Sequence, residues 1–261
     1  MPTLKIITIN TWKGEVDYDI RIENLKQQLT ALKPDIILMQ ECFEAPIIEK
    51  DTISYINQAF NYHLDFIQAR EKIRNFEEFP VLCFSNMAIL SRLPILNSYH
   101  YPLPLANGDE MRFGQEIEFF LENGKTAILT NVHLTHVNQN NSIRLEQIKK
   151  ITERIQNQKN ILHIIGGDFN ATLHSPEIQY LIQESNLIET FSYLHPKEKH
   201  NTLVEYQNKN VELGVDFIFI SNLQKQYNIK ESAICLNTPI HTSSYGYCSD
   251  HFGMLLNFEY A

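Results

Sequence analysis

No stretch of this sequence approaches the roughly 20 consecutive apolar residues that a membrane-crossing helix needs. The opening MPTLKIITIN lacks the basic-then-apolar layout of a signal peptide, and its apolar alternation begins by Leu4, so the first strand is expected to belong to the fold. A cytoplasmic setting is the expectation, with export by a signal-less route as the exception. Cysteine is scarce. Cys42, Cys83, Cys235 and Cys248 are scattered without a CxxC pair, which reads as reduced thiols, one disulfide at most. Basic residues are also in short supply: 22 Lys and Arg stand against 31 Asp and Glu, a net charge of −9. A protein living on non-specific nucleic-acid affinity carries a basic surface, so this balance speaks against a general DNA binder. It does not exclude an enzyme that handles phosphate through a bound cation, because the ion supplies the positive charge. Linkers, repeats and low-complexity blocks are missing as well. With 261 residues, 43% of them hydrophobic, one domain spanning residues 1–261 is expected.

What is present is a succession of short β-type runs. LKIITIN (4–10) and PDIILMQE (34–41) flank residues 18–33, where Ile22, Leu25, Leu29 and Leu32 sit at helical spacing. Residues 87–96, 112–121 and 125–134 follow with β character, the last two joined by the tight-turn sequence ENG. A helical pattern carries Ile143, Ile148, Ile151 and Ile155 over 141–156. The buried strand ILHIIGGDFNA comes next, then a helix over 175–186 that opens with a serine cap and a proline. Residues 214–221, 227–236 and 252–260 complete the strands. Strands outnumber helices, and the helices fall into two groups separated by consecutive strands. An α/β fold with a sheet-on-sheet core and outer helices fits this better than a simple doubly wound sheet.

Polar groups gather where the apolar runs end. Asn10 closes the first strand, and Gln40 and Glu41 close the second. Asn131 and His133 end a third; Asp168 and Asn170 end the strand that contains Gly166 and Gly167. Asp216 interrupts GVDFIFI, and Ser249, Asp250 and His251 precede the last strand. Each has a plain structural account: Asn10 capping a turn, Glu41 exposed at a strand edge, His133 a satisfied core histidine. Asp216, flanked by Val215 and Phe217, is harder to dismiss, because a partly buried carboxylate needs a partner. In extended chain Asp168 and Asn170 share a side, and two glycines leave room for a close approach to the backbone. Several carboxylates, amides and imidazoles at strand ends suit a hard cation such as Mg²⁺, which takes oxygen ligands and shares them with phosphate.

The runs TINTW, DIILMQE, NVHLTH, GGDFNA, VDFIFIS and CSDHFGMLL resemble, in the same order, the motifs of the endonuclease/exonuclease/phosphatase superfamily over residues 4 to 258. The resemblance implies a four-layer α/β/β/α sandwich, two packed mixed sheets flanked by helices. It implies Mg²⁺, with Mn²⁺ as a substitute, held chiefly by Glu41 with Asn10 and Asp250 assisting. Asp168 would orient or deprotonate the attacking water, and Asn170 would hydrogen-bond a phosphoryl oxygen and the nucleophile. His251, held by Asp216, would act as general base or as a charged donor to phosphate. His133 would protonate the leaving oxygen or bind phosphate; the abasic-site repair branch carries tyrosine here, whereas the deoxyribonuclease I and neutral sphingomyelinase branches carry histidine. His136 has no matched role and is placed by default on the surface or a substrate loop.

Substrate clues point two ways, to DNA or RNA and to a phospholipid head group. NTLVEY (201–206) is similar to a segment of neutral sphingomyelinases. SDHFGMLLNF and EMRFGQEIEF are similar to the branch that removes tyrosyl groups from DNA 5′ ends, which makes Arg112 a candidate phosphate contact as well as a candidate surface ion pair. Phe76, Phe79 and Phe84 are read either as an aromatic substrate or membrane-contact loop or as core packing. The function expected is a metal-dependent phosphodiester hydrolase with no obligate protein partner. The alternatives are a catalytically inactive binding module of the same fold, and an unrelated α/β protein with structural acids.

Overall fold

Alternating apolar residues become strands along most of the chain in the computed structural model, which describes residues 1–76, 79–105, 107–109, 111–137, 142–158, 161–206, 213–221 and 227–260. In chain order these residues form β1 (Thr3–Asn10), α1 (Tyr18–Leu32), β2 (Ile36–Ala45), β3 (Lys50–Asp51), α2 (Thr52–Asn57), β4 (His63–Phe76) and β5 (Phe79–Ser91). Then come β6 (Ile95–Pro102), β7 (Phe113–Phe120), β8 (Thr126–His133), α3 (Ser142–Asn157), β9 (Leu162–Asp168), α4 (Pro176–Ser185) and β10 (Leu187–Glu189). The chain finishes with α5 (Thr190–Leu194), β11 (Asp216–Ser221), β12 (Tyr227–Cys235) and β13 (Gly253–Tyr260). Among the positions named above, Glu110, Asn141 and the side chain of Phe76 lie outside the described residues.

The strands build two mixed sheets. One has seven strands in the order β12-β13-β1-β2-β5-β4, with β3 paired to β2; the other has six in the order β10-β11-β9-β8-β7-β6. The parallel pairs are β1 with β2 and β8 with β9. Because successive strand side chains face opposite ways, each central strand serves two cores. Ile6, Leu38 and Ile89 from one sheet and Leu129, Ile164 and Ile218 from the other fill the layer between the sheets. Ile7, Ile37 and Leu90 turn outward onto Ile22, Leu25 and Leu29 of α1 and Ile53 and Ile56 of α2. Ile165, Phe217 and Phe219 turn outward onto Ile148 and Ile151 of α3 and Ile178 and Leu181 of α4. The result is the four-layer α/β/β/α sandwich. No helix among the described residues is long and apolar enough to cross a membrane.

Residues 74–76 and 79–86 belong to the long antiparallel ribbon β4–β5, with Phe79 exposed and Phe84 half-buried. Three local expectations change. Residues 87–96 do not form one strand; Arg92, Leu93 and Pro94 break it, so 87–91 closes β5 and 95–96 opens β6 in the opposite sheet. Ser175 occupies the N-cap of α4, but its hydroxyl caps nothing; Pro176 at the first turn marks the start. Lastly, Gly166 and Gly167 are wholly buried. A Cβ on Gly166 would lie 2.7 Å from Leu38 Cδ1 in the facing sheet, and one on Gly167 2.0 Å from the Val132 carbonyl oxygen. The glycines let sheets and strands close on each other; they do not open a path for substrate.

Candidate active site

A β-bulge inside β2 and several left-handed residues shape one edge of the sandwich. In β2 the register against β5 shifts between Met39 and Cys42, and Glu41 within that bulge has φ 55°. A bulge re-aims a side chain that strand alternation would send elsewhere, and here it turns Glu41 to the edge where β1, β8 and β9 end. Trp12 and Lys13, just beyond β1, and Asn170, just beyond β9, are left-handed too, at φ 57°, 46° and 49°. Asn170 therefore does not share a side with Asp168 in the simple way that extended chain would give. Its backbone N–H donates to Asp168 Oδ1 at 2.9 Å, and its amide donates to the Leu134 carbonyl at 2.9 Å.

The facing sheets contribute to one constellation. From the seven-stranded side, Asn10 Nδ2 donates to Asp168 Oδ2 at 3.0 Å, while Asn10 Oδ1 accepts the Trp12 N–H. Ser249 Oγ donates to the Asn10 carbonyl at 2.6 Å and accepts the His251 N–H at 3.2 Å, which fixes the loop ahead of β13. His251 Nδ1 donates to Asp216 Oδ2 at 2.8 Å, leaving Nε2 for another partner. Asp168, Asp216 and His251 each offer a ligand-type atom within 4.8 Å of the others. Glu41 stands outside this tight group. Its Oε1 pairs with Lys13 Nζ at 2.7 Å and lies 3.9 Å from His133 Nε2, which is 3.5 Å from Asp168 Oδ2.

Burial sets the charge states. It raises Asp168 above the usual carboxylate range, with Asp216 adding to the effect while His251 and the Asn10 amide oppose it. Asp250 is pushed up to about 6 by burial, with Glu41 and Asp168 adding. For His251 burial works against the proton, yet Asp216, Asp168 and Asp250 together raise it to about 10. His133 goes the other way: burial, then the cations of Arg112, Lys13 and His251, hold it well below 6.5. At neutral pH the centre thus pairs an imidazolium with a neutral imidazole.

All nine residues expected from the sequence lie at or beside this edge, and Arg112 is no surface residue. It is buried, pairs with Asp109, and donates from Nη2 to His136 Nδ1 at 3.1 Å and from Nη1 to the His133 carbonyl. It lines a cleft with Glu41, His133, Asn86, Lys13 and Arg70. His136, given no role by the motifs, is thereby tied to the cleft through Arg112. Sequence reasoning missed Thr202, whose Oγ1 accepts the N–H groups of Val215 and Asp216 at 3.1 and 3.3 Å. Its signal was present in NTLVEY, which was singled out only for its likeness. Lys13 was missed too; a lone lysine after TINTW carries no signal by itself. Glu41, Asp250 and Asn10 offer hard oxygen donors, and Glu41 and Asp168 add negative charge to the burial that raises Asp250. That chemistry fits a divalent cation.

The endonuclease/exonuclease/phosphatase family profile matches residues 7–251. Among curated proteins no relative matches the chain. Solved structures share the fold at low identity. The human Nocturnin catalytic domain, with a bound sulfate anion, superposes with a TM-score of 0.74 at 17% identity, covering 100% of this chain and 95% of that one. A mannosyl-6-phosphatase of Bacteroides thetaiotaomicron gives 0.74 at 16%, covering 98% and 100%. D. rerio TDP2 complexed with a single-strand DNA product gives 0.71 at 18%, covering 99% and 100%. Residues 7–251 take in every strand end that feeds the constellation, from Asn10 to His251, and on that match the chain belongs to the endonuclease/exonuclease/phosphatase family.

Proposed function

We propose that the protein is a Mg²⁺-dependent phosphodiester hydrolase acting through an activated water, with Mn²⁺ able to substitute. The observation that carries this reading is the meeting of Asp168, Asp216–His251, His133 and Glu41 across two sheets, joined by the Asn10–Asp168 and Asp216–His251 hydrogen bonds. Asp168, Asp216 and His251 are buried, and a buried set of opposed charges is expensive to hold for structure alone. Glu41, with Asn10 and Asp250, would hold the cation, which when bound offsets phosphate charge that repels a nucleophile. Asp168, steadied by the Asn10 amide and the Asn170 backbone N–H, orients the water and takes its proton. His251, kept charged by surrounding carboxylates and fixed through Nδ1 by Asp216, presents Nε2 to a phosphoryl oxygen. His133 contacts the phosphate or the leaving oxygen, and Arg112 a phosphate beside it.

The substrate class at this level is a phosphodiester of nucleic acid or of a phospholipid head group. The test is hydrolysis of bis-(p-nitrophenyl) phosphate, plasmid DNA, a 5′-tyrosyl oligonucleotide and sphingomyelin vesicles, each with Mg²⁺ and with EDTA. Mg²⁺-dependent turnover is expected, abolished by Asp168→Ala and by His251→Ala in proteins that remain folded. Wild-type rates in either variant sink the assignment; no turnover of any ester favours the inactive binding module.

A further inference from the structure

The cleft beside Glu41 and His133 continues into a second depression, the two sharing Lys13, Arg70 and Ser85. Among the described residues five cations line them, Lys13, Arg70, Lys72, Arg74 and Arg112, with the carboxylate of Glu41. Glu15 pairs with Arg74 and Asp109 with Arg112 without lining the cleft. In a chain of net charge −9, such a strip beginning at the candidate catalytic centre is not a reflection of composition.

The strip also has a period. Arg70, Lys72 and Arg74 occupy alternate positions of β4, opposite Ser85, Cys83 and Val81 of β5, so they leave the ribbon on one face. That spacing is about 6.6 Å per step and about 13 Å over the three. A register shift between Gln68 and Arg70 sets this face, and it lies across β5 from the bulge that turns Glu41: Asn86 pairs with Gln68 on one side and with Cys42 on the other. Both bulges therefore aim charged side chains into one cleft. Burial lowers the pKa of Arg70; Glu41 and Asp109 oppose this, and the nearby Arg112 and Arg74 cations add to it.

We propose that this strip binds successive phosphates of a single-stranded nucleic acid running outward from the scissile bond, which makes such a strand the substrate class. The inference rests on the phosphodiesterase reading above. A repeated cation suits a repeated phosphate, whereas a phospholipid head group brings one phosphodiester and no repeat.

The test is binding of fluorescein-labelled oligothymidylates, twelve and two nucleotides long, by anisotropy in EDTA between 50 and 200 mM salt. The longer strand is expected to bind at least tenfold more tightly. Lys72→Ala/Arg74→Ala is expected to remove most of that preference and to lower the slope of log K against log salt by about 1.4, at roughly 0.7 per phosphate contact. Lys72→Glu alone, at an exposed position, serves if the double variant fails to fold. Equal binding of both lengths, or a variant with wild-type preference, overturns the proposal. So does Lys72-dependent retention on phosphatidylserine vesicles without oligonucleotide binding, which would give the strip to a lipid surface. Hydrolysis of bis-(p-nitrophenyl) phosphate is read separately. Length-dependent binding without Mg²⁺-dependent hydrolysis removes the catalytic reading and keeps the strip; hydrolysis without length dependence removes the strip alone.

Discussion

His200 offers a quantitative test of the packing described above. Its ring stacks on Phe191 at 5.1 Å between centroids and meets Phe217 edge-on at 4.7 Å, with Nε2 3.3 Å from Met254 Sδ. Burial depresses its pKa from 6.5 to about 4. Between those values the unfolded chain takes up a proton that the folded protein refuses. The stability associated with neutral His200 is therefore intact above pH 6.5 and is lost as pH falls towards 4. At pH 5, about 1.5 units below the unfolded pKa and still above the folded one, the loss is about 2 kcal/mol at roughly 1.36 kcal/mol per unit. Urea unfolding followed by far-UV circular dichroism at pH 7 and pH 5 measures it. His200→Phe keeps a ring in the slot but does not titrate. The stability of wild type relative to this variant should fall by about 2 kcal/mol between the two pH values. A difference that stays constant with pH would refute the assignment of a neutral, buried His200.

Three further outcomes are expected. Gly167→Ala should destabilise by about 3 kcal/mol or more, since φ 143° and a Cβ 2.0 Å from a backbone oxygen leave no cheap relaxation; a melting temperature within 2 °C of wild type, by about the scaling that applies to a chain of this size, would contradict the packing described. Thr202→Val should strand two buried N–H groups, costing about 2 to 4 kcal/mol and slowing turnover, while Thr202→Ser should restore both; equal behaviour of the two variants would show that the hydroxyl is not the support. Glu41→Ala should raise the Mg²⁺ concentration needed for half-maximal hydrolysis, and an unchanged requirement would remove Glu41 from the cation site.

Which features the sequence disclosed follows from which were set locally. Strands such as β1, β2, β9 and β11 were legible because both faces are buried, so their apolar runs are dense and end abruptly at polar residues. The ribbon β4–β5 was not: β4 is an edge strand, and its HLDFIQAREKIRNF mixes charge and apolar residues, with Asp65 and Ile67 alone buried among its described side chains. The positions of Asn10, Glu41, Asp168, Asp216 and His251 could be read because each punctuates an apolar run. Their orientations could not be read, since the bulge at Glu41 and the left-handed turn at Asn170 depend on neighbouring strands. Gly166 and Gly167 show the limit most clearly. A missing side chain is visible in the sequence, but not what occupies the space; that is Leu38 and the Val132 carbonyl. Thr202 and Lys13 come from connecting segments, whose placement no periodicity encodes.

The place of β1 between β2 and β13 has a consequence for the order of assembly during synthesis. Its parallel neighbour follows within about thirty residues, but its antiparallel neighbour arrives at the far end of the sequence: Ser249 and Asn10, bonded at 2.6 Å, are 239 positions apart. A nascent chain emerging from the ribosome can close α1 over β1 and β2 early, yet an open sheet edge persists along β1 until β13 is released. The candidate site is then the last part of the molecule to be completed, and a translation product halted before His251 carries an unpaired β1 edge and lacks that imidazole.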